Sequence, residues 1–190
     1  MLILASQSPR RIQILTEHNF DFKVIKPSWD ETKIKTLNWR SYANIQAYFK
    51  AKSVLDEDTF SKDDIVLATD TTVVFKNKIL GKPETAERCF EMLKELNGKK
   101  HKVVSGVAII HQNKVYSFQV TTDVYFKKNS ESEIKKYIEL AKPFDKAGGY
   151  GIQDKENNLI KKINGDYLNV VGMPEMALYK IGEILKCQVK

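Results

Sequence analysis

The residues best suited to chemistry fall into separate clusters, and the first stands near the start of the chain. Ser6-Gln7-Ser8-Pro9-Arg10-Arg11 follows the short apolar run Leu2–Ala5. Such a run suits a buried strand, and Pro9 suits the first turn of a helix, where its missing N–H costs nothing. Ser6 or Ser8 is placed to cap that helix. A helix N-terminus offers free N–H groups and partial positive charge, and paired arginines add forked donors matched to phosphate oxygens. The arrangement therefore points to phosphate handling, with a capped helix carrying two solvated arginines as the plainer alternative.

The second cluster is built around Thr69-Asp70-Thr71, which interrupts a β-branched, strand-like run from Ile65 to Phe75. A carboxylate in the middle of an apolar run must be paired, bound to metal or turned to a polar cleft, because burying an unpaired charge costs several kcal/mol. Asp70 is thus the leading candidate for acid–base or metal chemistry. Lys76-Asn77-Lys78 then reads as a tight hairpin connection. Gly81-Lys82-Pro83 reads as a turn that delivers Lys82 to the next helix, as a second phosphate contact or as a solvated lysine.

The third cluster runs from Phe144 through Asp145-Lys146-Ala147-Gly148-Gly149-Tyr150-Gly151-Ile152-Gln153, with Gly165-Asp166-Tyr167 and Gly172-Met173-Pro174 further on. Its glycines allow close backbone approach or positive φ, with a flexible loop as the commoner alternative. Gln153 is a surface amide or a reader of a base edge, since one amide presents a donor and an acceptor.

The elements that must position these residues alternate between the two kinds of regular structure. Strands are expected at Leu2–Ala5, Asp21–Ile25 and around Asp70, and a long hairpin joins 102–110 to 115–126 around His111-Gln112-Asn113. Helices are expected after Pro9, over Trp39–Leu55, over Glu84–Leu96 with Thr85 an alternative cap, after Ser130 with Glu133 completing a capping box, and over Met173–Leu185. Phe90 and Met92 read as packing residues. Long hairpins beside helices imply an α/β fold with a mixed, strongly twisted β-sheet flanked by helices.

Composition sets the outer bounds. At 190 residues with 42% apolar residues, the chain is long enough for one substantial core and short for two independent domains. No apolar run reaches the roughly twenty residues of a membrane span, and Met1 leads into a strand with no basic n-region. Cys89 and Cys187 lie far apart without metal-ligand spacing, so reduced thiols are expected; His18, His101 and His111 form no metal pattern. The net charge of +7 raises nucleic-acid binding as a rival, but the lysines are scattered and no stripe interleaves them with aromatic residues.

In order and wording the clusters resemble the Maf family of nucleotide pyrophosphatases, through Ser6-Gln7-Ser8-Pro9-Arg10-Arg11, Thr69-Asp70-Thr71, Leu80-Gly81-Lys82-Pro83, Asp145 to Gln153, and Gly165-Asp166-Tyr167. The match spans almost the whole chain as a single domain, 1–190. The resemblance implies two lobes around a deep cleft and a cytoplasmic, metal-dependent hydrolase. Such an enzyme cleaves nucleoside triphosphates to the monophosphate and pyrophosphate, and the family has been linked with cell-division arrest. Arg11, Thr71 and Gln153 match the branch that looks like a dTTP/UTP pyrophosphatase. By the same carry-over Asp70 is the catalytic proton acceptor. Ser6, Arg10, Arg11, Lys50, Thr71, Lys82 and Gln153 face the substrate, and Glu31 joins Asp70 on Mg²⁺ or Mn²⁺. Asp145 and Asp166 are open to a metal role and equally to capping. A homodimer is part of the same expectation.

The chain departs from the family's pattern between Pro27 and Asp58, where Gln46 replaces a usual leucine, and at Asp154, which replaces a glycine and adds a carboxylate expected to repel a triphosphate. Ala47 and Ala51 nonetheless fall one helical turn apart with Lys50 on the adjoining edge, so the helix is expected to persist. The rival reading is a nucleic-acid-binding or regulatory protein with a vestigial nucleotide site. Retention of Asp70, Lys82 and both arginines argues against it, because a site freed from catalysis has no physical reason to keep its charges clustered.

Overall fold

The computed structural model of the protein describes residues 1–34, 38–55, 60–156 and 159–188, with side chains through Lys186. It contains a seven-stranded sheet in the order β2-β1-β3-β5-β6-β7, with β4 paired to β3. The strands are β1 (Leu2–Ala5), β2 (Phe22–Ile25), β3 (Ile65–Phe75), β4 (Lys78–Leu80), β5 (Lys100–His111), β6 (Lys114–Phe126) and β7 (Ile160–Asn164). The helices are α1 (Pro9–Glu17), α2 (Trp39–Leu55), α3 (Ala86–Leu96), α4 (Glu131–Ala141), α5 (Tyr167–Val171) and α6 (Glu175–Gln188). β1 runs parallel to β2 and β3, whereas β4 and β7 pair antiparallel to β3 and β6, which makes the sheet mixed.

The chain divides into two compact units, one of residues 1–70, 105–120 and 172–190, the other of residues 71–104 and 121–171. In the first unit, β1 is buried along its whole length and packs with Val66, Ala68 and Ala108 against Ala47, Ala51 and Val54 of α2. The small residues Ala43, Ala47 and Ala51 recur every fourth position and let α2 lie close on the sheet. The approach is tight at Gly106 of β5, where a Cβ would stand 2.2 Å from the Ala43 carbonyl carbon. This contact fixes the height of α2 above the strands.

The core of the second unit gathers Val73, Phe75, Cys89, Leu93, Val103, Phe126, Ile134 and Tyr137 around α3 and α4. Thr85 caps α3 by accepting from the Arg88 N–H at 3.2 Å, and Ser130 with Glu133 completes the expected capping box of α4. Glu84, expected inside α3, lies outside it at φ +62°, a left-handed conformation that helical backbone cannot adopt. The β5–β6 turn is tighter than expected: only Gln112 and Asn113 take positive φ, and His111 belongs to the strand. α6 begins at Glu175 rather than Met173, with Pro174 just before it. β7 and α5 carry no strong periodicity and were not legible beforehand; β7 has polar residues at most positions and lies at the end of the sheet order. Among the described residues, no helix is long and apolar enough to cross a membrane.

Candidate active site

In the first unit, Lys50 gathers two carboxylates. It projects from the buried face of α2, one turn after Gln46, and its Nζ stands 2.6 Å from Asp70 Oδ1 and 2.7 Å from Glu31 Oε1. Asp70 and Lys50 are both buried, while Glu31 is about half exposed on a short 3₁₀ turn, Glu31–Lys33. Asp30 starts that turn by accepting from the Thr32 N–H at 2.9 Å. The interrupted strand thus has its physical resolution, since the buried carboxylate is paired with a buried ammonium. Both carboxylates converge on one cation-sized point, and hard carboxylate oxygens are the donors that Mg²⁺ and Mn²⁺ prefer. Among the described residues no group of three or more His, Cys, Asp or Glu could hold a metal by itself. The donor chemistry suits such a cation, and in this structure the point that the two carboxylates share is held by the Lys50 ammonium.

The β1–α1 connection brings Ser6 and Arg11 together. Neither serine side chain caps α1: Ser8 holds the N-cap position without a side-chain bond, and Ser6 Oγ accepts instead from the Ser8 N–H at 3.2 Å and from Arg11 Nη1 at 3.1 Å. Arg11 Nε also donates to the Gly172 carbonyl at 3.0 Å. That carbonyl accepts as well from Thr69 Oγ1 at 2.9 Å, so one backbone oxygen ties the arginine to the residue before Asp70. Burial pushes the Arg11 guanidinium below its ordinary value; Asp70 and Glu31 oppose that shift and Arg10 adds to it. Guanidinium remains charged regardless. Arg10 is half-buried on the same helical turn.

The second unit carries the remaining expected residues. Thr71 is half-buried in β3, Lys82 is exposed between β4 and α3, and Gln153 is exposed on the turn closed by the Asp154 N–H on the Gly151 carbonyl at 3.2 Å. The glycine pair before it is required by both shape and space. Gly148 and Gly149 lie at φ +73° and +75°, and a Cβ on Gly149 would stand 2.8 Å from Cys89 Sγ.

The expectation that Asp154 repels a triphosphate needs correction. Asp154 is no free negative charge beside Gln153: its Oδ2 accepts from the Tyr137 hydroxyl at 2.6 Å and the Gly151 N–H at 3.1 Å, and Lys146 Nζ lies 3.5 Å from its Oδ1. Burial and the neighbouring Asp154 push the Tyr137 phenol up, which keeps it a donor. Tyr150 is a core residue that packs against His101 and Phe126 and hydrogen-bonds His101 Nε2 at 2.6 Å. Asp166 serves as a cap, accepting from the Asn169 N–H at 3.0 Å. Cys89 is a buried free thiol, and the Cys187 side chain lies outside the described residues.

Sequence reasoning did not foresee Gln46 as a polar anchor. It is wholly buried, with Oε1 accepting from Trp29 Nε1 at 2.6 Å and Nε2 donating to the Glu31 carbonyl at 3.0 Å. The available signal was an amide at a position that helical spacing places on the core face.

The family model Maf, described as Maf-like protein, matches residues 1–183. A protein of Thermosipho africanus named dTTP/UTP pyrophosphatase is 45% identical over 184 residues, covering 97% of this chain and 91% of its own. Proteins of the same name from Halalkalibacterium halodurans and Alkaliphilus oremlandii are 44% and 42% identical, covering 91% and 97% of this chain and 90% and 94% of their own. The solved structure of the Staphylococcus aureus Ham1 protein aligns at a TM-score of 0.43 with 16% identity, over 66% of this chain and 71% of that one. With its motifs in order and a family match running from the first residue to the last helix, the chain belongs to the Maf family.

Proposed function

We propose that this protein is a nucleoside triphosphate pyrophosphatase that hydrolyses dTTP and UTP to the monophosphate and pyrophosphate. The observation that carries the reading is the convergence of Asp70 and Glu31 on Lys50 in the unit that also holds Ser6 and Arg11. The names of relatives that cover nearly the whole chain support the same activity and substrate class.

In this reading water attacks the α-phosphorus in line. A new oxygen–phosphorus bond forms, the bond from the α-phosphorus to the bridging oxygen breaks, and pyrophosphate leaves with that oxygen. Asp70 orients the water and accepts its proton at a carboxylate oxygen. Lys50 holds Asp70 in place and contributes positive charge where the phosphoryl oxygens gain negative charge. Arg10 and Arg11 neutralise the triphosphate, and Ser6 orients the Arg11 fork. Glu31 and Asp70 would hold Mg²⁺ or Mn²⁺, whose chemistry is to neutralise phosphate charge and lower the pKa of water. In the second unit, Lys82 serves as a phosphate contact, and Thr71 and Gln153 select the base. A cytoplasmic location and a homodimer belong to the same proposal, the latter open to test by sedimentation.

Pyrophosphate release across ordinary and modified nucleoside triphosphates, with Mg²⁺, with Mn²⁺ and with chelator, tests the proposal. The expected result is metal-dependent release that is fastest with dTTP and UTP. Absence of release from every nucleotide overturns the enzymatic reading, and equal rates with GTP overturn the pyrimidine preference.

A further inference from the structure

The Trp29–Glu31 segment is held by α2 through three successive contacts. Trp29 stacks on Phe49 with ring centroids 4.4 Å apart and planes 15° from parallel. Gln46 takes the Trp29 indole N–H at 2.6 Å and gives its amide N–H to the Glu31 carbonyl at 3.0 Å. Lys50, one turn further along, binds the Glu31 side chain at 2.7 Å and Asp70 at 2.6 Å.

The Gln46 amide can sit only one way round. An indole nitrogen is solely a donor and a carbonyl oxygen solely an acceptor, so Oε1 must face Trp29 and Nε2 must face Glu31. Both ends are satisfied in a fully buried setting, where an unmet amide carries a large penalty. Glu31 itself lies on a short, largely exposed turn that has little apolar anchorage of its own. Its backbone is fixed by Gln46, and its side chain is then left within reach of Lys50.

We infer that Gln46 is a positioning residue of the reaction: by clamping Trp29 and the Glu31 main chain to α2, it holds the Glu31 carboxylate beside Asp70. The inference rests on the proposed pyrophosphatase reading and goes beyond it in assigning a task to a buried amide that touches no substrate. The clamp acts through geometry, so its loss is expected in turnover more than in substrate binding, and only while Glu31 has a carboxylate to place.

The test compares Gln46→Leu, Trp29→Phe, Glu31→Gln and the Gln46→Leu/Glu31→Gln double variant, reading kcat and KM for dTTP with Mg²⁺. Gln46→Leu is expected to lower kcat by about 10- to 50-fold with KM within about threefold, and to add less than about twofold in the Glu31→Gln background, because residues acting as one unit are non-additive. A second readout is independent of turnover. In a Trp39→Phe background Trp29 is the sole tryptophan, and its indole N–H resonance is expected to shift with Gln46→Leu and to stay in place with Glu31→Gln. A kcat within about twofold of wild type, an equal loss in both backgrounds, or an unmoved resonance overturns the clamp. Should Gln46→Leu fail to fold, Trp29→Phe, which keeps the stack on Phe49 and removes the N–H, carries the same kinetic criteria, alone and in the Glu31→Gln background. A wild-type protein that releases no pyrophosphate overturns the underlying reading and this assignment with it, whereas active wild type with additive losses overturns the clamp alone.

Discussion

Asp70 and Lys50 form a buried ion pair 2.6 Å long, and the same ammonium keeps a second carboxylate, Glu31, at 2.7 Å. The sharing makes the pair asymmetric. Removing the Asp70 charge leaves Lys50 with a partner, but removing Lys50 takes the ammonium away from a buried carboxylate.

Asp70→Asn is therefore expected to fold. The amide is nearly isosteric, and Glu31 still compensates the ammonium. Turnover should fall by about 10²-fold or more, the scale of a lost general base, while the thermal midpoint moves by a few degrees. Activity close to wild type removes Asp70 from the reaction. Lys50→Met should behave in the opposite way in denaturant melts, losing about 3–5 kcal/mol of stability because Asp70 is left buried and unpaired.

Gly106→Ala probes how α2 is seated. The added methyl would meet backbone atoms of Ala43 and Asn44 at 2.2–2.3 Å, so the helix itself must shift. A destabilisation of about 1–3 kcal/mol or more is expected from overpacking, together with loss of activity, since α2 carries Gln46 and Lys50. Wild-type stability and turnover in this variant would show that the helix does not need this contact.

Gln153→Ala tests base selection. One glutamine amide can satisfy the adjacent carbonyl and N–H of uracil or thymine, and losing such a pairing costs about 1–3 kcal/mol, or roughly a five- to hundredfold preference. Competition among dTTP, UTP, CTP and GTP should show the ranking compressed in the variant. An unchanged ranking assigns base choice elsewhere. Asp154→Ala should compress the ranking in the same direction, because Asp154 closes the Gly151–Asp154 turn on Tyr137 and Lys146 and so fixes where Gln153 stands.

Acid stability should depend on His101. Its ring is buried, its Nδ1 has no hydrogen-bond partner among the described residues, and burial pushes its pKa from 6.5 down to about 4. Because the unfolded chain binds a proton there first, stability is fully present above about 6.5 and is lost as pH falls toward 4, by about 3 kcal/mol in all. Asp64 and Asp123 are held below the ordinary carboxylate value and titrate beneath this window. Thermal midpoints between pH 7 and pH 4 should therefore decline in the wild type and flatten in His101→Phe. Parallel declines would place the acid sensitivity in other groups.

The amino-acid order alone determined the elements whose signals are local. Trp39–Leu55, the Ser130–Glu133 capping box and the Asp70 strand follow from apolar spacing and from side chains that bond backbone a few positions away. It also determined that Asp70 must be paired, bound to metal or turned to a polar cleft, since an unpaired charge buried in an apolar run is costly. Which partner it takes was decided by the tertiary structure. Lys50 lies twenty positions away on α2, and its reach to Asp70 depends on how closely Ala43 seats on Gly106. The same holds for Gln46, Tyr150 and Asp154. The amide, the phenol and the carboxylate had no legible partner until packing supplied Trp29, His101 and Tyr137, because a polar side chain's role is set by the donor or acceptor that folding brings to it from distant sequence.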